Sequence, residues 1–225
     1  MSKSGEKLRR CETSLREFRQ KSNFEEIKDE VKRLWKNDQA GAGFVHNEIK
    51  YRSRASDPLK FDIRPPRSGV KEGLLSKEDF SEKFSFLEQD LKEKNLQKNG
   101  VYVFYAGEEV TYVGEASNFG KRFKDHYGEQ KHLANEYPPD TNPSDMEDEK
   151  WFLHDATKLE LYELKPSAGT QSRSEFESLM IFYLGKPERD YKPRDNKRAG
   201  SSSAPVQVAL KILEAEIREL KSTPH

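Results

Sequence analysis

The sequence is short of the residues that disulfides, thiolate metal sites and membrane helices require. Cys11 is the only cysteine among 225 residues, which excludes internal disulfides and thiolate-rich zinc sites. The five histidines are scattered without paired metal-ligand spacing. No apolar run approaches the roughly 20 residues that a membrane-spanning helix needs, and the polar start of the chain predicts no secretory signal. These absences predict an intracellular, cytoplasmic protein with no membrane partner.

The chain also lacks an excess of either charge. Its 40 basic and 40 acidic residues leave a formal net charge of +0, which argues against a protein that coats polyanions indiscriminately but allows a local basic face. Charged residues make up 36% of the chain, so long solvated surfaces are expected. Aromatic residues nevertheless reach 11%, enough for a compact core.

Residues 1–75 are predicted to form a charged helical extension that ends in a basic arm. Ser22-Asn23-Phe24-Glu25 is a capping-box pattern that opens a helix. Between residues 50 and 71, basic residues outnumber acidic ones, and prolines disfavour regular structure. The arm is therefore a candidate contact for a nucleic-acid backbone, or else a solvated linker. Its candidate contact residues are Arg52, Arg54, Arg64 and Arg67.

Residues 76–199 are predicted to form an α/β domain. The runs 101–105 and 110–113 are rich in Val, Tyr and Phe and predict a hairpin. A capped helix with Phe at four-residue spacing follows, and then a third strand over 159–164. The predicted fold is a small three-stranded mixed sheet flanked by helices, with added N-terminal helices. Residues 200–225 are predicted to be a linker and a C-terminal amphipathic helix, whose apolar stripe packs against its own domain or, alternatively, against a partner chain.

The hairpin carries two tyrosines whose relative placement depends on the turn. Tyr102 and Tyr112 share a face of the sheet only if they pair directly or are offset by two positions. That condition requires a loop with an odd number of residues, or a β-bulge. A four-residue loop would place the two phenols on opposite faces. The sequence therefore predicts an odd loop or a bulge if these residues form one site.

The order of motifs in this region resembles that of a known family. Gly100-Val101-Tyr102 is followed by Tyr112-Val113-Gly114, by a helix with Arg122, by a third strand, by a helix with an early glutamate, and by Pro193-Arg194-Asp195-Asn196. In this order they resemble the GIY-YIG nuclease superfamily over about residues 100–198. The resemblance implies a metal-dependent DNA endonuclease that hydrolyses phosphodiester bonds and leaves a 5′ phosphate and a 3′ hydroxyl.

The resemblance also implies roles for individual residues. Tyr102 would be the general base, and Tyr112 would orient the water or the phosphate. Arg122 would stabilise the phosphorane with an always-charged donor fork, and Asn196 would help to hold the glutamate and the phosphate. His126 lies four residues after Arg122 and so shares its helix face. A neutral imidazole there could accept the tyrosine proton, and an exposed helical histidine is the alternative.

The expected cofactor is Mg²⁺ or Mn²⁺. One hard divalent cation on a single carboxylate can polarise a scissile phosphate. Glu175 and Glu177 are two residues apart and lie on different faces of their helix. Glu177, which apolar residues follow, matches the glutamate of the family and is the preferred ligand. Capping boxes that begin at Ser172 and Ser174 offer both glutamates a purely structural role.

DNA is the expected partner. Further candidate contact residues are Lys121, beside Arg122, and Lys192, Arg194 and Lys197 in a basic loop near the end of the domain. Restriction, repair and homing roles all fit, and a restriction enzyme would favour a homodimer because palindromic sites mirror two-fold symmetry. A non-catalytic nucleic-acid-binding module on the same fold is the alternative.

Overall fold

The computed structural model describes residues 3–20, 46, 49–55, 57–68, 73–93, 96–139, 141–142, 146, 150–165, 170–185, 192–196, 210, 213–214, 217–218 and 220–222. Lys197 and the predicted capping box at 22–25 lie outside these residues. The helices are α1 (Lys3–Gln20), α2 (Lys77–Glu93), α3 (Phe119–Glu136), α4 (Phe152–Asp155) and α5 (Thr170–Leu184). The strands are β1 (Leu59–Asp62), β2 (Gly100–Ala106), β3 (Glu109–Ala116) and β4 (Lys158–Glu163). Within the described ranges, no helix has the length and apolar character to cross a bilayer.

The four strands form one sheet in the order β1-β4-β2-β3, and all three pairings are antiparallel. The α/β class is as predicted, but the prediction of a three-stranded mixed sheet is wrong. The additional strand, β1, lies inside the predicted basic arm, where the flanking prolines concealed it. Pro58 and Pro65 lie just outside the strand, which is at the edge of the sheet, where proline is tolerated. Burial of Phe61 and Ile63 holds this segment against the core.

Each face of the sheet carries an apolar core, since successive side chains of a strand point to opposite faces. On one face Val101, Val103 and Val113 pack with residues of α5. On the other face Tyr102 and Phe104 pack with residues of α2, α3 and α4. The first core also includes Leu213 and Ile217, and Lys221 forms an ion pair with Glu12 of α1 at 2.8 Å. The C-terminal apolar stripe therefore packs against its own chain, as predicted.

A β-bulge at Thr111 sets the register of the β2–β3 hairpin. Tyr105 pairs with Val110 but Phe104 pairs with Tyr112, so Thr111 is the extra residue. Tyr102 pairs with Gly114, which places the two tyrosines two positions apart on one face. Without the bulge, the turn at 107–108 would pair Tyr112 with Val103 and direct its phenol to the opposite face. The prediction of a bulge or an odd loop is confirmed.

The segment 193–196 closes the outer edge of β3. The carbonyl of the bulged Thr111 accepts a hydrogen bond from the Asp195 amide at 2.8 Å. The Asn196 side chain accepts from the Val113 amide at 2.9 Å and donates to the Val113 carbonyl at 2.8 Å. Asn196 thus pairs with the edge as a neighbouring strand would. These contacts occupy its amide group, so the structure gives Asn196 a bracing role in β3 rather than a contact inside a cleft.

Replacement of Asn196 by Ala should lower the free energy of unfolding by about 2 kcal/mol, because two hydrogen bonds to backbone groups are lost. Urea denaturation monitored by circular dichroism measures this change. Asn135→Ala is the matched control, since its amide makes one exposed hydrogen bond to Lys131 in α3 and its loss should have little effect. Equal stability of the two variants would contradict the bracing role.

Candidate active site

A cleft of about 490 Å³ lies along the edge strand β3, between α3 and α5. It is polar, and its wall combines groups from both faces of the sheet. Its lining residues include Tyr102, Tyr112, Glu115, Lys121, Arg122, Asp125, Arg173 and Glu177. The cleft therefore brings together both predicted tyrosines, the predicted arginine and the predicted metal ligand, which come from four separate elements.

The two glycines of the tyrosine motifs are explained by close backbone approach. The Tyr102 ring crosses β3 at Gly114, where an added Cβ would lie 2.4 Å from the Tyr102 hydroxyl. At Gly100 an added Cβ would lie 2.3 Å from the Tyr162 carbonyl oxygen. Side chains at these positions would displace Tyr102 or separate β2 from β4. The glycines therefore position the buried phenol next to the cleft.

Tyr112 and Arg122 line the cleft beside Tyr102. The Tyr112 ring is 6.1 Å from that of Tyr102 and stacks on Phe152 at 4.1 Å with an interplanar angle of 4°. Burial raises the pKa of both phenols, while the Arg122 guanidinium, hydrogen-bonded to both, acts in the opposite direction. The phenols therefore stay protonated at neutral pH, and neither can accept a proton unless it passes its own to a neighbouring group.

That neighbouring group is His126. It is 1% exposed, so the alternative of an exposed helical histidine does not hold. Its Nε2 lies 2.7 Å from the Tyr102 hydroxyl, and its Nδ1 lies 3.4 Å from a carboxylate oxygen of Glu129. Burial, Arg122 and Lys150 together lower the pKa of His126 to about 3. The imidazole is therefore neutral. Because a carboxylate can only accept a hydrogen bond, we assign the ring proton to Nδ1, facing Glu129, which leaves Nε2 to accept from the Tyr102 hydroxyl.

Glu177 carries the carboxylate of the cleft. Burial and the neighbouring charge of Glu115 raise its pKa to about 7, while the Glu115 backbone amide donates a hydrogen bond to it. Glu175 points elsewhere and pairs with Arg52 at 3.3 Å. Because α5 begins at Thr170, neither glutamate lies in the first turn, which excludes the capping roles.

Glu177 fits the single-carboxylate cation site that the sequence predicts. Within the ranges given above, no three His, Cys, Asp or Glu side chains cluster as a metal site. Mg²⁺ does not require such a cluster, because it is commonly held by one or two carboxylates with water and substrate phosphate completing its shell. A half-buried, partly desolvated carboxylate at the wall of an open cleft has this chemistry. The second nearby carboxylate, Glu115, is hydrogen-bonded to Arg173 at 2.7 Å.

The predicted nucleic-acid contacts have different surroundings. Lys121 is exposed on the rim of the cleft. Arg54 pairs with Glu163 at 2.9 Å and Arg67 with Glu82 at 3.0 Å. Both arginines remain largely solvent-exposed, as does Arg64, while Lys192 is half-buried.

Arg194 is engaged inside the molecule. Its guanidinium lies 3.6 Å from the centre of the Trp151 ring and pairs with Asp155 and, at 2.8 Å, with Asp195. Arg194 therefore joins the closing segment to the residues around α4. A guanidinium so occupied is a structural residue here rather than a surface contact for DNA.

The sequence did not indicate every residue of the site. Glu129 could have been found, because it lies three residues after His126 on the same helix. Glu115, Arg173 and Lys150 carried no comparable signal. Lys150 follows an acidic stretch of the sequence, and only the folded chain brings it within 5.2 Å of the Tyr112 ring centre.

The buried His126 should make stability dependent on pH. The folded protein holds this histidine at a pKa of about 3, whereas the unfolded value is about 6.5. The unfolded chain therefore binds more protons in this window, and stability falls as the pH is lowered through it. Between pH 7.5 and pH 5, His126 should lower the free energy of unfolding by about 2 kcal/mol.

Comparison of His126→Gln with the wild type isolates this effect. Glu177, whose pKa is raised to about 7, acts in the opposite direction in both proteins, because the folded chain binds its proton more tightly. Urea denaturation at pH 7.5 and pH 5 should show that the free energy of unfolding falls less on acidification in His126→Gln than in the wild type. The exposed His132→Gln on the same helix is the control. A His126→Gln variant that loses as much stability as the wild type would contradict the neutral buried state.

Comparisons with known proteins found no match for this chain. It matches no family model, no curated protein and no solved structure.

Proposed function

We propose that the protein is a metal-dependent DNA endonuclease of the GIY-YIG type, which hydrolyses phosphodiester bonds. The observation that carries the proposal is the convergence of Tyr102, Tyr112, Arg122 and Glu177 on one cleft, with His126 hydrogen-bonded behind Tyr102. A phosphodiester is the substrate class that uses all of these groups. A cation and a guanidinium neutralise its charge, and a phenol activates the water.

Arg122 provides the fixed positive charge of the site. Its guanidinium is hydrogen-bonded to both phenols, and all three side chains line the cleft. A phosphate oxygen placed there would receive donors that need no reorganisation as charge develops. Tyr112, fixed by stacking on Phe152, would direct its hydroxyl at the same phosphate or at the attacking water.

Tyr102 and His126 provide a path for the proton. As the water oxygen bonds to phosphorus and the bond to the 3′ oxygen breaks, the Tyr102 oxygen takes a water proton and passes its own to His126 Nε2. The charge that His126 gains is held by Glu129 at Nδ1. In the free protein Arg122 and Lys150 oppose this charge. A bound phosphodiester brings negative charge beside those cations, so substrate binding makes His126 a better proton acceptor.

Glu177 would hold the divalent cation. When bound, the cation would act as a Lewis acid on the phosphate and stabilise the leaving 3′ oxygen. The carboxylate must be ionised for this purpose, and the Glu115 amide that donates to it favours the ionised form.

Wild-type protein with Mg²⁺ should convert supercoiled plasmid to nicked or linear DNA with 5′ phosphate ends, as shown by gel electrophoresis and religation. Arg122→Ala and Glu177→Gln should each reduce the rate at least about 100-fold, because each removes a group that stabilises the developing charge. Tyr102→Phe should have a similar effect, since it removes the proton path.

Glu175→Gln is the matched control for Glu177→Gln. It removes the same charge two residues away on the same helix, where the carboxylate pairs with Arg52 outside the cleft, and it should cleave at close to the wild-type rate. Nicking by Arg122→Ala as fast as by the wild type would refute the enzyme proposal. Tight DNA binding without any cleavage would favour the non-catalytic DNA-binding module instead.

A further inference from the structure

We propose that Lys150 is a second phosphate-binding cation of the cleft and contacts the same phosphodiester as Arg122. The inference rests on the proposed function of the site. It assigns to substrate binding a residue that lies outside the tyrosine, arginine and glutamate motifs.

The position of Lys150 relative to the cleft supports this assignment. Its ammonium lies 5.2 Å from the centre of the Tyr112 ring, the same side chain whose hydroxyl is hydrogen-bonded to Arg122. Its charge acts on His126 in α3 and on Glu177 in α5. The ammonium is thus within electrostatic reach of functional groups from three elements that surround the space for the phosphate.

The backbone that carries Lys150 is fixed at several points. Phe152 stacks under Tyr112 at 4.1 Å, and the Trp151 carbonyl accepts a hydrogen bond from the His154 amide at 2.8 Å. The Trp151 ring packs against Arg194, which is itself paired with Asp155 and Asp195. Through Arg194, the closing segment 193–196 therefore also holds the backbone around Trp151, which places Lys150 beside Tyr112.

The charges of the site explain why an anion is the expected occupant. The charges of Arg122 and Lys150 both act on the same buried imidazole, and the Lys150 ammonium and the Arg122 guanidinium both lie beside Tyr112. An anion bound next to Tyr112 would be attracted by both cations. The two cations also complement one another, because the guanidinium offers a planar fork while the ammonium is a compact donor on a flexible stem. Together they could contact both non-bridging oxygens of one phosphate.

Salt dependence of DNA binding tests the assignment directly. Binding of a short duplex is measured by fluorescence anisotropy in Ca²⁺ at several salt concentrations, for the wild type, Lys150→Gln and Lys150→Arg. The loss of one phosphate contact should reduce the slope of log Kd against log salt by about 1 in Lys150→Gln. The plasmid cleavage rate in Mg²⁺ should fall about 100-fold. Lys150→Arg, which keeps the charge, should restore the slope.

Two further variants control the experiment. Lys7→Gln removes an exposed charge from α1, which packs on the opposite face of the sheet, and should leave the slope unchanged. If melting curves show that Lys150→Gln is poorly folded, Lys150→Met, which keeps an apolar stem over Tyr112, takes its place.

The outcomes separate this proposal from the nuclease proposal. An unchanged slope in the neutral Lys150 variant overturns the phosphate contact, whatever the cleavage rate. A wild type that binds DNA with a Lys150-dependent slope but does not nick plasmid overturns the nuclease function and supports the contact. A wild type that does not bind DNA overturns both.

Discussion

The register of the β2–β3 hairpin is the constraint on which the candidate site depends. One extra residue, Thr111, places Tyr112 on the same face as Tyr102. The bulge is held in place by the Asp195 amide at its carbonyl. Asn196 pairs with Val113 immediately beyond it. The closing segment therefore contributes to the site by fixing the backbone of an edge strand, which among the described strands otherwise pairs only with β2.

Burial of polar groups sets the protonation states of the side chains in the site. Tyr102 and His126 are almost inaccessible to solvent, which favours the neutral form of both, and the hydrogen bond between them satisfies groups that would be costly to bury alone. Arg122 faces the two phenols, and Lys150 adds a second positive charge. The carboxylate of Glu177 approaches from the other side of β3, where burial and Glu115 raise its pKa. The site thus combines a neutral, buried hydrogen bond between Tyr102 and His126 with charged groups on the wall of the cleft.

The sequence predicted local features well and long-range ones poorly. The hairpin, the capped helix that carries Arg122 and the strand before α5 follow from periodicity and capping residues. The geometric condition on Tyr102 and Tyr112 correctly required a bulge or an odd loop. The strand β1 was missed because its four residues are flanked by prolines and basic residues, and only pairing with β4 makes it a strand. The internal roles of Arg194 and Asn196 depend on partners far away in sequence, Asp155 and Val113, which spacing along the chain does not reveal.

The location of the cleft follows from the same arrangement. A site in the middle of the sheet could receive side chains from one face only, whereas the edge strand β3 allows groups from both faces to meet. Gly114 makes this possible, because the absence of a side chain lets the Tyr102 ring cross the strand and reach the edge. At that edge the phenol lies beside Arg122 and within the electrostatic influence of Glu177. A long side chain at position 114 would therefore displace the Tyr102 phenol from its place beside Arg122. The position of the Tyr102 phenol in the cleft therefore depends on Gly114 as well as on Tyr102 itself.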